Sequence, residues 1–198
     1  MSCPCSGKGG SSHGTCEMIW KTRKNGRLGG VGIVICNKYY DKSGLVTPTL
    51  LAVLEGSGHT YAGKLNVCGG RVENQDKSCY LLAAMREFHE ETGWEKLDWS
   101  KFDAIFKDPD THQYRIVFHS GTPIFIGVYN GLSRGPLNAE ITRRHKPGSG
   151  ATSAMRETLC VDWINMNTCK RLDNTVCRAE LSDYLQAVVP EVKAYLKW

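Results

Sequence analysis

Three glutamates, Glu87, Glu90 and Glu91, stand within five positions of "GGRVENQDKSCYLLAAMREFHEETGW", residues 69–94, in a chain whose net charge is +5. On a helix they occupy i, i+3 and i+4 and project from one strip. Leu81, Ala84, Met85 and Phe88 recur at helical spacing, so the strip lies beside an apolar stripe and the acids border the core. Asp76 or Ser78 can cap the start of this helix, and Gly93 sits where a C-cap glycine belongs. Like charges at this spacing destabilise an isolated helix, and its C-terminal end disfavours anions. Arg86 reaches Glu90 at i+4 and offsets one charge. A solvated acidic face is the bland account of such a run. The chemical account is a hard divalent cation, Mg²⁺ or Mn²⁺, which needs several carboxylate oxygens converging on one point. The pair Gly69 and Gly70, ahead of the helix, lets the backbone turn sharply and approach that point.

These residues resemble the Nudix signature, which runs glycine, five residues, glutamate, seven residues, then R-E-U-x-E-E-x-G-U, with U a bulky apolar residue. "REFHEETGW" matches its second half at Arg86, Glu87, Phe88, Glu90, Glu91, Gly93 and Trp94, and Gly70 supplies the leading glycine. The interval from Gly70 to Arg86 is two residues longer than the pattern. Counted forward from Gly70, the first glutamate position falls on Asp76; counted back from Arg86, it falls on Ser78. The resemblance implies an α/β fold, the Nudix-type α/β/α sandwich with a mixed β-sheet between helices. It also implies hydrolysis of a diphosphate bond in a nucleoside diphosphate linked to another group. Glu87, Glu90 and Glu91 would be the metal ligands, with Arg86 fixing their geometry.

A general base must lie within hydrogen-bond reach of the attacking water. Glu87 and Glu157 are the candidates, with Glu140 a weaker one. The basic run Arg143, Arg144 and Lys146 is a candidate clamp for substrate phosphates or an RNA backbone, against the plain reading of solvated surface. His59 and Tyr61, in a loop before the glycine strand, offer rings for base stacking, or form a simple turn. His89 reads as exposed, His112 and His119 show no partner spacing, and Trp163 and Phe125 read as core. Capped RNA, dinucleoside polyphosphates, nucleotide sugars and diphosphoinositol polyphosphates all remain open as substrates. A Nudix-fold module that binds nucleotide or RNA without catalysis is the alternative class, and oligomeric state is left open.

With 198 residues, 41% of them hydrophobic and 23% charged, the chain suits one sizeable domain. Residues 1–16 read as a flexible Gly/Ser/Cys-containing leader and 17–198 as a single domain. The leader lacks the apolar core of a secretory signal, and a cytoplasmic location without membrane contact is the expectation. The nine cysteines then read as free thiols or a metal site rather than a disulfide framework. Cys36, Cys68, Cys79 and Cys160 lie in apolar stretches and read as small buried hydrophobes. Cys3, Cys5, His13 and Cys16 have the composition of a zinc knuckle without a common zinc spacing.

The remaining elements follow from pattern. Residues 29–36 and 49–55 read as strands paired through a long loop, with 37–48 as that loop. "LNVCGG" reads as a short strand. "DAIFK" (103–107), "QYRIVFHS" (113–120), "TPIFIGVYN" (122–130) and "ETLCVDWINM" (157–166) also read as strands. Residues 131–153 form a long polar, basic stretch. Residues 178–197 make a terminal amphipathic helix, kinked or restarted at Pro190.

Overall fold

A computed structural model describes residues 15–19, 29–40, 43–58, 60–94, 97–172 and 179–198. The described part of the first helix, α1, covers residues 15–19. The strands are β1 (Gly30–Tyr40), β2 (Val46–Glu55), β3 (Lys64–Asn66), β4 (Cys68–Arg71), β5 (Ile116–His119), β6 (Thr122–Val128), β7 (Thr158–Asn165), β8 (Lys170–Arg171) and β9 (Glu180–Leu181). The later helices are α2 (Tyr80–Thr92), α3 (Trp99–Phe106), α4 (Arg134–Arg144) and α5 (Asp183–Leu196). Among the described residues the strands form one mixed sheet along the path β5-β6-β1-β2-β3-β9; β4 pairs β1, and β7 pairs β2 and β8. The β1/β6 and β3/β9 pairs are parallel; the other pairs are antiparallel.

β1 is central because its apolar run can be buried on both faces. Val31, Ile33 and Ile35 face one core, which contains Phe88 of α2, Phe102 of α3 and Ile141 of α4. Val34 and Cys36 face the other, filled by Leu185, Val188, Val189 and Val192 of α5. The result is an α/β/α sandwich. Among the described residues, no helix is long and apolar enough to cross a membrane.

β1 and β2 do form a hairpin, but they continue to Tyr40 and back from Val46, so their connection is only residues 41–45. Residues 103–107 are not a strand; all but Lys107 belong to α3. Asp98 caps α3, its side chain accepting from the Lys101 N–H at 2.8 Å, and Phe102, Ile105 and Phe106 are buried. The polar stretch 131–153 contains α4, which buries Leu137, Ile141 and Arg144 at i, i+4 and i+7. α5 runs through Pro190 as one helix, and its start is set by Ser182, which accepts from the Leu185 N–H at 3.0 Å. Cys16 is not part of a loose leader: it is buried in the α2-side core, its sulfur 3.8 Å from that of Cys79. Cys160 is only half-buried. Cys3, Cys5 and His13 lie outside the described residues.

Candidate active site

Between the glycine pair and α2 the chain makes a 3₁₀ turn, Asn74–Asp76, closed by the Glu73 N–H donating to Asp76 Oδ2 at 2.8 Å. Lys77 and Ser78 follow at φ 49° and 61°, both left-handed. A left-handed non-glycine costs about 1–2 kcal/mol, so two in succession mark a backbone forced into a tight detour. The detour absorbs the two extra residues. Asp76 therefore stays at the acid position counted from Gly70, while α2 starts with Cys79 as its N-cap. Neither Asp76 nor Ser78 caps α2.

Asp76 instead turns its carboxylate on Arg86. Arg86 Nε donates to Asp76 Oδ1 at 3.0 Å and Nη2 to Oδ2 at 2.9 Å, a two-pronged pair in which Asp76 is 3% exposed. Nη2 also donates to the Arg71 carbonyl at 2.8 Å. Nη1 meets Glu90 Oε2 and Glu87 Oε1, each at 2.9 Å. One guanidinium thus joins the glycine loop, the turn acid and two of the three clustered glutamates. The fork geometry of arginine suits this role; a lysine ammonium would not serve all four acceptors in fixed directions.

The third glutamate is held from the strand. Glu91 is buried and its Oε2 accepts from the Gly69 N–H at 2.8 Å, with the Cys68 thiol as a further donor. Gly69 has φ 151°, and a Cβ there would strike the Val31 carbonyl. A Cβ on Gly70 would overlap the Glu87 carboxylate. Both glycines are therefore required, the first by conformation and contact, the second as a cradle for Glu87.

Burial raises the pKa of all three acids. Glu87 is pushed up to about 7, mainly by desolvation, with the Arg86 charge opposing and the Glu90 charge adding. Glu90 and Glu91 shift upward for the same first reason. Among the described residues, no group of three acid, histidine or cysteine side chains converges as a ready-made metal cage. The donor chemistry nevertheless fits a hard divalent ion. Glu87 and Glu90 flank one arginine and each commits only one oxygen to it, while Glu91 is held from the strand by the Gly69 N–H.

The other sequence candidates fall into two groups. Glu157 precedes β7 and is half-buried; its backbone carbonyl accepts from the Gly56 N–H at 2.7 Å, and its charge adds to the upward shift of Glu90. Glu140 is instead consumed by Arg143 (2.7 and 2.6 Å) and Arg144 (3.0 Å), bonds that lower its pKa and make it a poor base. Arg143 is 54% exposed but forked onto Glu140, and Lys146 is exposed. Arg144 is 1% exposed, too buried to clamp a substrate phosphate. Gly93 is the left-handed C-cap of α2, with φ 73°, as its position suggested.

His89 is half-buried and donates to the Leu97 carbonyl, rather than exposed. His119 pairs with Glu191 at 3.0 Å. His59 lies outside the described residues. Tyr61 faces Tyr184 of α5, ring centroids 6.3 Å apart, at a cavity of about 200 Å³ that also touches Gly30, Gly32 and Gly70. The Tyr184 contribution left no signal in the sequence, because it comes from the far end of the chain. Trp163 and Phe125 are buried in the core.

A mixed sheet between helices, with an arginine-clamped carboxylate helix behind a glycine turn, defines an α/β/α sandwich built around an anionic site. The NUDIX domain matches residues 27–136, more than half the chain, and the chain belongs to the NUDIX family. Similar solved structures include the NUDIX domain of Shewanella oneidensis NrtR complexed with ADP ribose, 12% identical over 89% of this chain and 92% of that one, TM-score 0.48. A mutT/nudix family protein from Listeria innocua is 13% identical over 85% and 93%, TM-score 0.42. A MutT/nudix family protein from Enterococcus faecalis is 13% identical over 92% and 74%, TM-score 0.38. No curated protein matches the sequence. Family membership supports a Nudix hydrolase or nucleotide-binding function.

Proposed function

We propose that the chain is a Mg²⁺- or Mn²⁺-dependent pyrophosphohydrolase that cleaves the diphosphate bond of a nucleoside diphosphate linked to another moiety. The observation that carries this reading is the Arg86 hub, which ties Asp76, Glu87 and Glu90 to the glycine turn in one bonded unit. A purely structural acidic face has no need of such a unit. Glu87, Glu90 and Glu91 would hold the ion, which when bound supplies positive charge to the diphosphate oxygens and acidifies water.

The chain's own residues do the rest. Arg86 holds Glu87 and Glu90 by one oxygen each and leaves the other oxygen of each uncommitted to it. Gly70 leaves room for Glu87 and lets substrate approach the backbone closely. Glu87 or Glu157 takes the proton of the attacking water. Tyr61 and Tyr184, at the cavity reaching Gly70, offer ring faces to a base, which favours a nucleotide end on the substrate.

The test is a panel of capped RNA, dinucleoside polyphosphates, nucleotide sugars including ADP ribose, and diphosphoinositol polyphosphates, each with Mg²⁺ and with Mn²⁺. Turnover of a nucleotide member is the expected result, and Glu90→Gln should lower kcat by about 100-fold or more. Unchanged turnover in Glu90→Gln removes the assigned role. A non-catalytic nucleotide-binding module is the second reading, favoured by Arg86 already neutralising two of the carboxylates. Tight nucleotide binding with no product from any panel member would decide for it.

A further inference from the structure

Arg144 is the largest fully buried side chain among the described residues, on a helix that otherwise presents a polar face to solvent. Placing a guanidinium in a core is expensive unless every donor is used. Its Nη1 donates to the carbonyls of His89 and Glu90, both at 2.9 Å, and its Nε to Glu140 at 3.0 Å. Those two carbonyls belong to the last turn of α2, where helix carbonyls lack intrahelical partners. Gly93 N–H supplies His89 with a long bond of 3.2 Å; Arg144 supplies the rest. The cation also sits at the negative end of the helix dipole, where the crowding of Glu90 and Glu91 is least favourable.

Two further contacts tie this arginine to the site. Gly93 is needed not only for its φ of 73°: a Cβ there would lie 2.8 Å from Glu140 Cγ and 3.7 Å from Arg144 Cζ. The glycine thus makes room for the pair that holds the arginine. The Arg144 carbonyl in turn accepts from Ser149 Oγ at 2.8 Å and Arg156 Nε at 3.1 Å, in the segment that leads into Glu157. A methionine would fill most of that volume with no desolvation penalty, so packing alone does not explain the residue.

We propose that Arg144 is a positioning residue: by bonding the His89 and Glu90 carbonyls it fixes the last turn of α2, and so the directions in which Glu90 and Glu91 present their oxygens to a divalent cation. This rests on the metal reading given above, and the experiment separates the two. Mn²⁺ binding is measured calorimetrically on the nucleotide-free protein, alongside kcat and KM, for the unmodified chain, Arg144→Met, Arg144→Lys and Glu140→Gln. A comparator, Val189→Ala, thins the core beneath α5 on the opposite face of the sheet.

Arg144→Met should weaken Mn²⁺ binding about 10- to 100-fold, as loss of a group supporting metal ligands does, and lower kcat more than it changes KM. Arg144→Lys should recover part of the affinity, since it keeps the charge but not the fork. Glu140→Gln, the milder change, should show a smaller loss in the same direction and decides the matter if Arg144→Met does not fold. Val189→Ala should lower Tm yet leave Mn²⁺ affinity intact. Native Mn²⁺ affinity in folded Arg144→Met, or in Glu140→Gln where Arg144→Met does not fold, overturns the inference. If the unmodified chain itself binds no Mn²⁺, the metal reading falls and this inference falls with it.

Discussion

The two helical layers are held to the same sheet by different means. α5 rests on four fully buried aliphatics, Leu185, Val188, Val189 and Val192, and its polar bonds lie at its ends and surface: the Ser182 cap, whose hydroxyl donates to Asn66 at 2.8 Å, and the Glu191–His119 pair at 3.0 Å. α2 also buries an apolar stripe, but around it lie buried Asp76, Glu91, Thr92 and Arg144. Aliphatic burial contributes about 1.5–3 kcal/mol per side chain without fixing direction to a fraction of an ångström. Buried hydrogen-bonded ions add little net stability, yet removing one member is costly. The α5 layer is therefore built for stability, and the α2 layer for fixed placement of charge.

The sharpest way to break this comparison is to remove one ion from the α2 layer. Asp76→Ala removes the two-pronged partner of Arg86, leaving it Glu87, Glu90 and the Arg71 carbonyl, and should cost about 1–3 kcal/mol together with a fall in kcat of about 10- to 100-fold. Val189→Ala in the α5 layer should cost about 2 kcal/mol from its lost methyls and the cavity left, with kcat unchanged. Chemical denaturation and steady-state kinetics on the two variants read this directly. Equal kinetic effects would erase the distinction between the layers.

That distinction also marks what the sequence discloses. The α5 layer, the β1/β2 pairing and the α2 stripe were legible because apolar residues recur with the period of their element, at positions such as Ile33, Ile35, Leu81 and Phe88. α4 was not, because the third member of its buried stripe is Arg144, a residue type that pattern reading assigns to solvent. α3 was missed because Asp98 and Trp99, its cap and first turn, fall outside the short run "DAIFK". The glutamates and glycines of the site were legible from spacing. The partner of Arg86 was not, since nothing in Lys77 and Ser78 announces two consecutive left-handed residues.

A second prediction concerns pH. Glu87 is raised from 4.5 to about 7 in the folded chain, and Glu90 and Glu91 shift the same way. The folded state then holds more protons than the unfolded one between these values. Metal-free stability is fully present below the unfolded pKa and declines as pH rises through about 7, by up to about 3 kcal/mol for Glu87. The α5 layer contains no such group among its buried core residues. Added Mg²⁺ should therefore raise Tm clearly near pH 8 and scarcely near pH 5, because only the ionised carboxylates bind it. A Mg²⁺ effect of equal size at both would detach the stabilisation from these glutamates.

The smallest expected effect lies outside both layers, at the exposed end of α4. Arg143→Gln with Lys146→Gln removes two surface charges and should change stability by no more than about 0.5 kcal/mol. If RNA tracks this surface, the slope of log binding constant against log salt should fall by about 1, not 2. The reason is that Arg143 is already forked onto Glu140 by bonds of 2.7 and 2.6 Å, which leaves Lys146 as the charge available to a phosphate. Lys146→Gln alone should then reproduce the double variant, and Arg143→Gln alone should do little. A slope that does not move in any of the three assigns this end of α4 to holding Glu140 in place for Arg144, and to no ligand of its own.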